Sequence, residues 1–147
     1  MDSTTNRNVA LLSIYPEFVE KIFDGSKTIE LRRTKLRDVQ HVVVYATSPV
    51  MKIVGHFDVE EIVEDTPNNL WRDYRATTGI DKKRFFQYYE NRKLAVGIKI
   101  KQTHLLATPR KITFLSPDLT PPQSVRYLPF SAILKLRSCA RPRKRAA

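Results

Sequence analysis

The stretch Gly25-Ser26-Lys27-Thr28-Ile29-Glu30-Leu31-Arg32-Arg33 decides how the chain is read. Just before it, residues 16–23 carry Phe18, Ile22 and Phe23 at helical spacing, behind a proline suited to the first turn of a helix. Asp24 and Gly25 stop that helix. After the glycine the pattern changes to alternation, so residues 28–33 are expected to form a strand. Successive strand side chains point to opposite faces. Ile29 and Leu31 therefore share one face; Thr28, Glu30 and Arg32 share the other, with Lys27 at the strand's start. A lysine, a carboxylate and a guanidinium along one edge suit a polar, flat or anionic ligand. The same residues would also be satisfied as a solvated ion pair, and exposed pairs contribute only ~0–1 kcal/mol.

Working outward, residues 9–15 read as a strand, 41–46 as a near-continuous apolar strand, and 51–63 as a long alternating one. Gly55 inside the last signals a bulge or a close approach by another group. Residues 34–40 are charged and loop-like, and Ser48-Pro49 is a break. Residues 67–77 and 81–89 look helical, with Asp81 as an N-cap. Phe85, Phe86, Tyr88 and Tyr89 load the second helix, which is expected to cap one end of the sheet; Trp71 is expected to be buried. Residues 94–100 alternate as a further strand, 107–123 are proline-rich without a period, and 128–136 hold a last apolar stretch. Strands separated by short helices point to an α+β fold: a mixed β-barrel of about five or six strands with short flanking helices.

At 147 residues the chain makes one domain. The expected division is a flexible N-terminus over 1–8, a domain over 9–137 and a basic disordered tail over 138–147. No run approaches the ~20 apolar residues that span a bilayer, and residues 1–7 lack a signal-peptide apolar region. A cytoplasmic protein, away from membranes, is expected. The single cysteine, Cys139, excludes an internal disulfide and a cysteine-based zinc site. His41, His56 and His104 lie on separate segments, with no His-x-His or His-x-x-x-His spacing. The four glycines are too scattered for a phosphate-cradling loop. No metal and no cofactor are expected. The formal net charge of +11 and a pI of about 10.0 suit a polyanion partner. Arg137, Arg141, Arg143, Lys144 and Arg145 concentrate part of that charge at the C-terminal end, where they would add non-specific affinity for nucleic acid.

From residue 9 to about 127 the chain resembles the ASCH family, within the PUA-like group. The family signature Gly-x-Lys-x-x-Glu-x-Arg is filled by Gly25, Lys27, Glu30 and Arg32. Residues 10–16, 42–50 and 53–57 are similar to the family's first strand and helix start and its next strand pair, and 122–128 to a late segment of longer members. The resemblance implies a PUA-like barrel with a pocket at the motif, taking RNA, another nucleic acid or a modified nucleoside. Lys27 and Arg32 would hold phosphate or base oxygens. Glu30 would accept from an exocyclic amine or a ring N–H. Tyr45 and Ser48, at a strand end, and Gln123, Ser124 and Arg126, after two prolines, are the expected neighbours. The second implied class is a small hydrolase, either an amidohydrolase removing an acyl group from a modified cytidine or a ribonuclease. Lys27 and Glu30 would then share the acid–base work. The family's deacylases carry threonine three residues after the lysine; this chain has Glu30 there, a departure from their mechanism.

Overall fold

The computed structural model describes residues 8–140. Its elements are β1 (Val9–Ile14), α1 (Pro16–Asp24), β2 (Ile29–Arg32), β3 (His41–Ala46), β4 (Lys52–Asp65), α2 (Pro67–Tyr74), α3 (Lys82–Tyr88), β5 (Ala95–Arg110), β6 (Arg126–Leu128) and α4 (Ser131–Arg137). The strands form one six-stranded sheet in the order β2-β5-β4-β3-β1-β6. All neighbours are antiparallel except β1 and β3, which run parallel. The sheet curls into a half-barrel, and β4 shows why. Its pairing with β5 slips between Ile53 and Gly55, between Asp58 and Val59, and between Val59 and Glu61. Each slip bends the strand and adds right-handed twist.

Apolar side chains fill both faces of the central strands. Val9 and Leu11 of β1 join Val43 and Tyr45 of β3 in a cluster closed by Ile133 and Leu136 of α4. Ala10 and Leu12 join Val42 and Val44 on the other side, against Ile22 of α1. Burial on two faces accounts for the continuous apolar runs that both strands show in sequence. A third cluster packs Ile29 and Leu31 of β2 on Leu70, Phe85 and Tyr89, so the aromatic helix α3 covers that end of the sheet as its composition implied. Trp71 sits half-buried at the edge of this cluster, its ring 5.0 Å from that of Phe85. The Asp81 carboxylate accepts from the Arg84 amide at 2.8 Å and caps α3.

Three segments differ from the sequence-based expectation. β5 runs to Arg110, past the expected end at Ile100, because its outer half, which lacks a regular alternation, is held by the ladder to β4. The apolar stretch at 128–136 divides into the end of β6 and helix α4. The packed body also extends past both expected boundaries. The Asn8 carbonyl accepts from the Gln40 amide at 2.8 Å, and the Cys139 carbonyl from the Ala107 amide at 2.9 Å, so the body reaches Ala140. The rest of the expected terminal segments, 1–7 and 141–147, lies outside the described residues. Among the described residues no helix is long and apolar enough to cross a membrane.

Gly55 is a place where only glycine fits. A Cβ there would lie 2.6 Å from both the Phe23 ring and the His104 carbonyl oxygen. The β5 backbone cannot withdraw without disturbing its ladder to β4, whereas the partly buried Phe23 ring can yield only in part. Gly55→Ala is therefore expected to destabilise the fold by ~1–3 kcal/mol, read as a lowered urea midpoint at unchanged slope.

Candidate functional site

The helix-to-strand junction is built by local chemistry. Gly25 takes the left-handed conformation at φ 88° and ends α1, its amide donating to the Ile22 carbonyl. The Lys27 amide then donates back to the Lys21 carbonyl at 2.9 Å, and the Thr28 amide to the Thr77 carbonyl at 3.0 Å. These bonds turn the Lys27 side chain inward, where it is 3 % exposed. Gly79, at φ 71°, lies against its aliphatic stem.

The charged cluster is therefore an interior one. Lys27 Nζ donates to the Thr78 carbonyl at 2.6 Å and lies 3.5 Å from Glu30 Oε1. Glu30 Oε2 accepts from Arg32 Nη2 at 2.9 Å. The same Nη2 donates to the Ser13 carbonyl of β1 at 3.1 Å, and Nη1 to the Ser124 carbonyl at 3.4 Å. Arg32 Nε is buried with no acceptor among the described residues. Burial pushes the Lys27 amine below the usual lysine range; the Glu30 carboxylate pulls the other way, and Arg32 adds to the fall. Two cations around one anion leave the interior with surplus positive charge.

These side chains open onto a cavity of about 500 Å³ between α1, β2, α3 and the loop before β6. Lys27, Glu30, Arg32 and Gln123 line it together. The loop carrying Gln123 is tied down by the Ser13 hydroxyl, which donates to the Pro122 carbonyl at 2.8 Å. Other expected neighbours sit elsewhere. Tyr45 is buried in the apolar cluster under α4, because its place on β3 points it to that face. Ser48 is exposed in the turn after β3. Arg126 is exposed on β6, and Ser124 reaches the cluster only through its backbone carbonyl.

Sequence reading missed several residues around the cavity. Tyr15, at the α1 N-cap, is 63 % exposed on its rim. Phe18, expected in the buried stripe, packs against the core beside Ile22 and also lines the cavity, with Lys27 Nζ 5.4 Å and the Arg84 guanidinium 5.1 Å from its ring centre. Arg84 pairs with Glu17 at 2.8 Å and clasps α3 to α1. Tyr88 closes the floor, donating to the Leu31 carbonyl at 3.3 Å, while Tyr89 donates to the Arg32 carbonyl at 3.0 Å. Burial pushes the phenols of both tyrosines up. Nothing local in the sequence marks these residues, because the cavity is made by α3 packing across from α1.

The triad makes an asymmetric stability prediction. Glu30→Ala leaves Lys27 and Arg32 buried without their shared anion and is expected to cost ~3–5 kcal/mol. Lys27→Met keeps the volume and leaves Glu30 with Arg32, so its cost should stay under ~1.5 kcal/mol. Urea denaturation of both variants measures the difference; equal losses would contradict the arrangement.

Comparison with known proteins agrees with this architecture. Residues 10–115 match the family model described as a domain of unknown function, DUF365. An ASCH domain-containing ribonuclease of Zymomonas mobilis is 29% identical over 133 residues, covering 87% of this chain and 89% of that protein. A large ribosomal subunit protein uL22 of Ureaplasma parvum is 30% identical over 105 residues, but the match spans 34% of that protein and 70% of this chain. The crystal structure of the ASCH protein from Zymomonas mobilis superposes with a TM-score of 0.83 at 28% identity, covering 92% of this chain and 98% of that one. The chain belongs to the DUF365 family, and its half-barrel is an ASCH domain.

Proposed function

We propose that the cavity at Lys27, Glu30 and Arg32 takes one nucleotide of single-stranded RNA. The observation that carries this reading is the surplus positive charge of Lys27 and Arg32 around the single Glu30 carboxylate, at the wall of a cavity of about 500 Å³. A phosphate or base oxygen seated there would balance that charge. A single nucleotide fits a pocket of this size. Tyr15, exposed on the rim, offers a ring on which a splayed base can stack, and RNA is read largely through such unstacked bases. Arg33 and Arg84, exposed at the same cavity, supply the outer field that draws in the backbone. The ASCH ribonuclease that resembles this chain over most of both lengths supports an RNA partner.

That relative's name also favours cleavage as a second reading. Lys27, with its proton affinity reduced by burial, and Glu30, 3.5 Å away, form a pair able to pass a proton. The surplus charge would stabilise the extra negative charge that develops on a phosphate under attack. Amide hydrolysis of an acylated cytidine would use the same pair.

Fluorescence anisotropy with a single-stranded RNA oligomer and its duplex tests the binding reading. The single strand is expected to bind more tightly. Lys27→Met should weaken it about tenfold, the loss of one charge-assisted contact of ~1.5 kcal/mol. If Lys27 meets a phosphate, the slope of log affinity against log salt should also fall by about 0.7. Unchanged affinity and slope in a folded Lys27→Met protein would overturn the reading. Incubating labelled RNA with the parent and the variant decides between binding alone and cleavage.

A further inference from the structure

The three histidines lack any metal-ligand spacing in sequence, yet the ladder gathers them. His56 and Asp58 are two apart on β4 and so share a face. His104 of β5 pairs directly with His56, and His41 of β3 directly with Asp58. Four polar side chains thus occupy adjacent places on three neighbouring strands, on the face that α4 covers. His104 Nε2 lies 3.0 Å from Asp58 Oδ2, and His41 Nδ1 lies 3.1 Å from Asp58 Oδ1. The rings of His56 and His104 stack at 4.6 Å.

His56 is the group that this network does not explain. It is 1 % exposed, and neither ring nitrogen has a hydrogen-bond partner among the described residues. Two buried unsatisfied nitrogens are costly, and an apolar residue would pack here without that cost. One ligand atom from each of His56, Asp58 and His104 lies within 4.8 Å of the others.

We infer that His56, Asp58 and His104 form a binding site for a divalent transition ion of the zinc type. Imidazole nitrogens and a carboxylate oxygen are its usual donors, at ~2.0–2.2 Å in a tetrahedral shell. Such a shell sets donor atoms about 3.3 Å apart. At 3.0 Å the His104–Asp58 edge is close to that size, and an inward rotation of His56 would shorten the other two. The ion takes the place of the proton that His104 and Asp58 share, and it gives His56 a partner. Three protein donors leave a fourth position for water or a ligand atom. His41, holding the second oxygen of Asp58, is a positioning residue that fixes the carboxylate's orientation. Asp58 and His104 are each about a quarter exposed, which gives the ion a way in. Hard ions such as Mg²⁺ prefer oxygen-only shells and are disfavoured.

The test uses the untagged full chain, stripped with a chelator and titrated with Zn²⁺ in competition with a chromophoric chelator. One ion per chain at micromolar affinity or better is expected, with a raised Tm. Co²⁺ should give the visible bands of a four-coordinate ion without a thiolate charge-transfer band. His104→Ala and Asp58→Asn should each weaken Zn²⁺ at least tenfold, and His41→Phe less. Binding that is absent, or equally strong in folded His104→Ala and Asp58→Asn, overturns the site. Should those variants unfold, imidazole ¹⁵N resonances of the parent protein decide: large shifts at His56 and His104 on adding Zn²⁺ support the site, and unmoved signals refute it.

Discussion

The Arg32 guanidinium ties together the two ends of the curled sheet. A six-stranded sheet with β2 at one edge and β1–β6 at the other must join those edges or leave them open. No ladder joins β2 to β1. Instead one side chain from β2 spans the gap, donating to the Ser13 carbonyl of β1 and the Ser124 carbonyl ahead of β6. Glu30 fixes that guanidinium from its own strand at 2.9 Å, and Lys27 answers Glu30 from the helix side. Tyr88 and Tyr89 then bond the Leu31 and Arg32 carbonyls, so the edge strand is tied from two directions. Four places of one short motif therefore set both the seam of the barrel and the wall of its cavity.

This double use has an energetic consequence. Taking a charge out of water costs several kcal/mol per ion, and a buried ion pair rarely stabilises a fold more than apolar packing would. An apolar seam would be the simpler construction if closure alone were needed. The triad is also not neutral, and Arg32 Nε is left without an acceptor among the described residues. A purely structural network would be expected to satisfy its donors. The triad thus keeps unbalanced positive charge and an unmet donor in the interior, a cost that closing the seam does not by itself require.

Much of the fold was legible because it follows local rules. The Pro16 start and Gly25 stop of α1, the alternation of β2, the apolar runs of β1 and β3 and the Asp81 cap each carry their cause in a few residues. The outer half of β5 does not. Its residues 101–110 mix polar side chains with Leu105 and the buried Leu106 without steady alternation, and they form strand because β4 presents a ladder to them. At the site, the faces of Glu30 and Arg32 could be read from period two, but their depth could not. A solvated edge and a closed seam have the same sequence pattern; only the arrival of β1 and the Gln123 loop separates them. Tyr45 illustrates the same limit. Its position at a strand end suggested the cavity, whereas the α4 helix, distant in sequence, covers the face on which it lies.

The histidines carry that argument one step further. Spacing rules find sites that lie on a single helix or loop, where partners are neighbours in sequence. In a curled sheet the neighbours are set by register, and a slip of one residue would send His56 to the opposite face from His104. The bulges in β4 fall at Ile53/Gly55 and at Asp58/Val59, immediately on either side of the His56–Asp58 pair. Between them the register is regular, His56 facing His104 and Asp58 facing Gln102. The irregularities that curl the barrel thus flank an aligned stretch, and within it the polar residues of three strands face one another. Shape and site are therefore two results of the same register, and neither can be changed without disturbing the other.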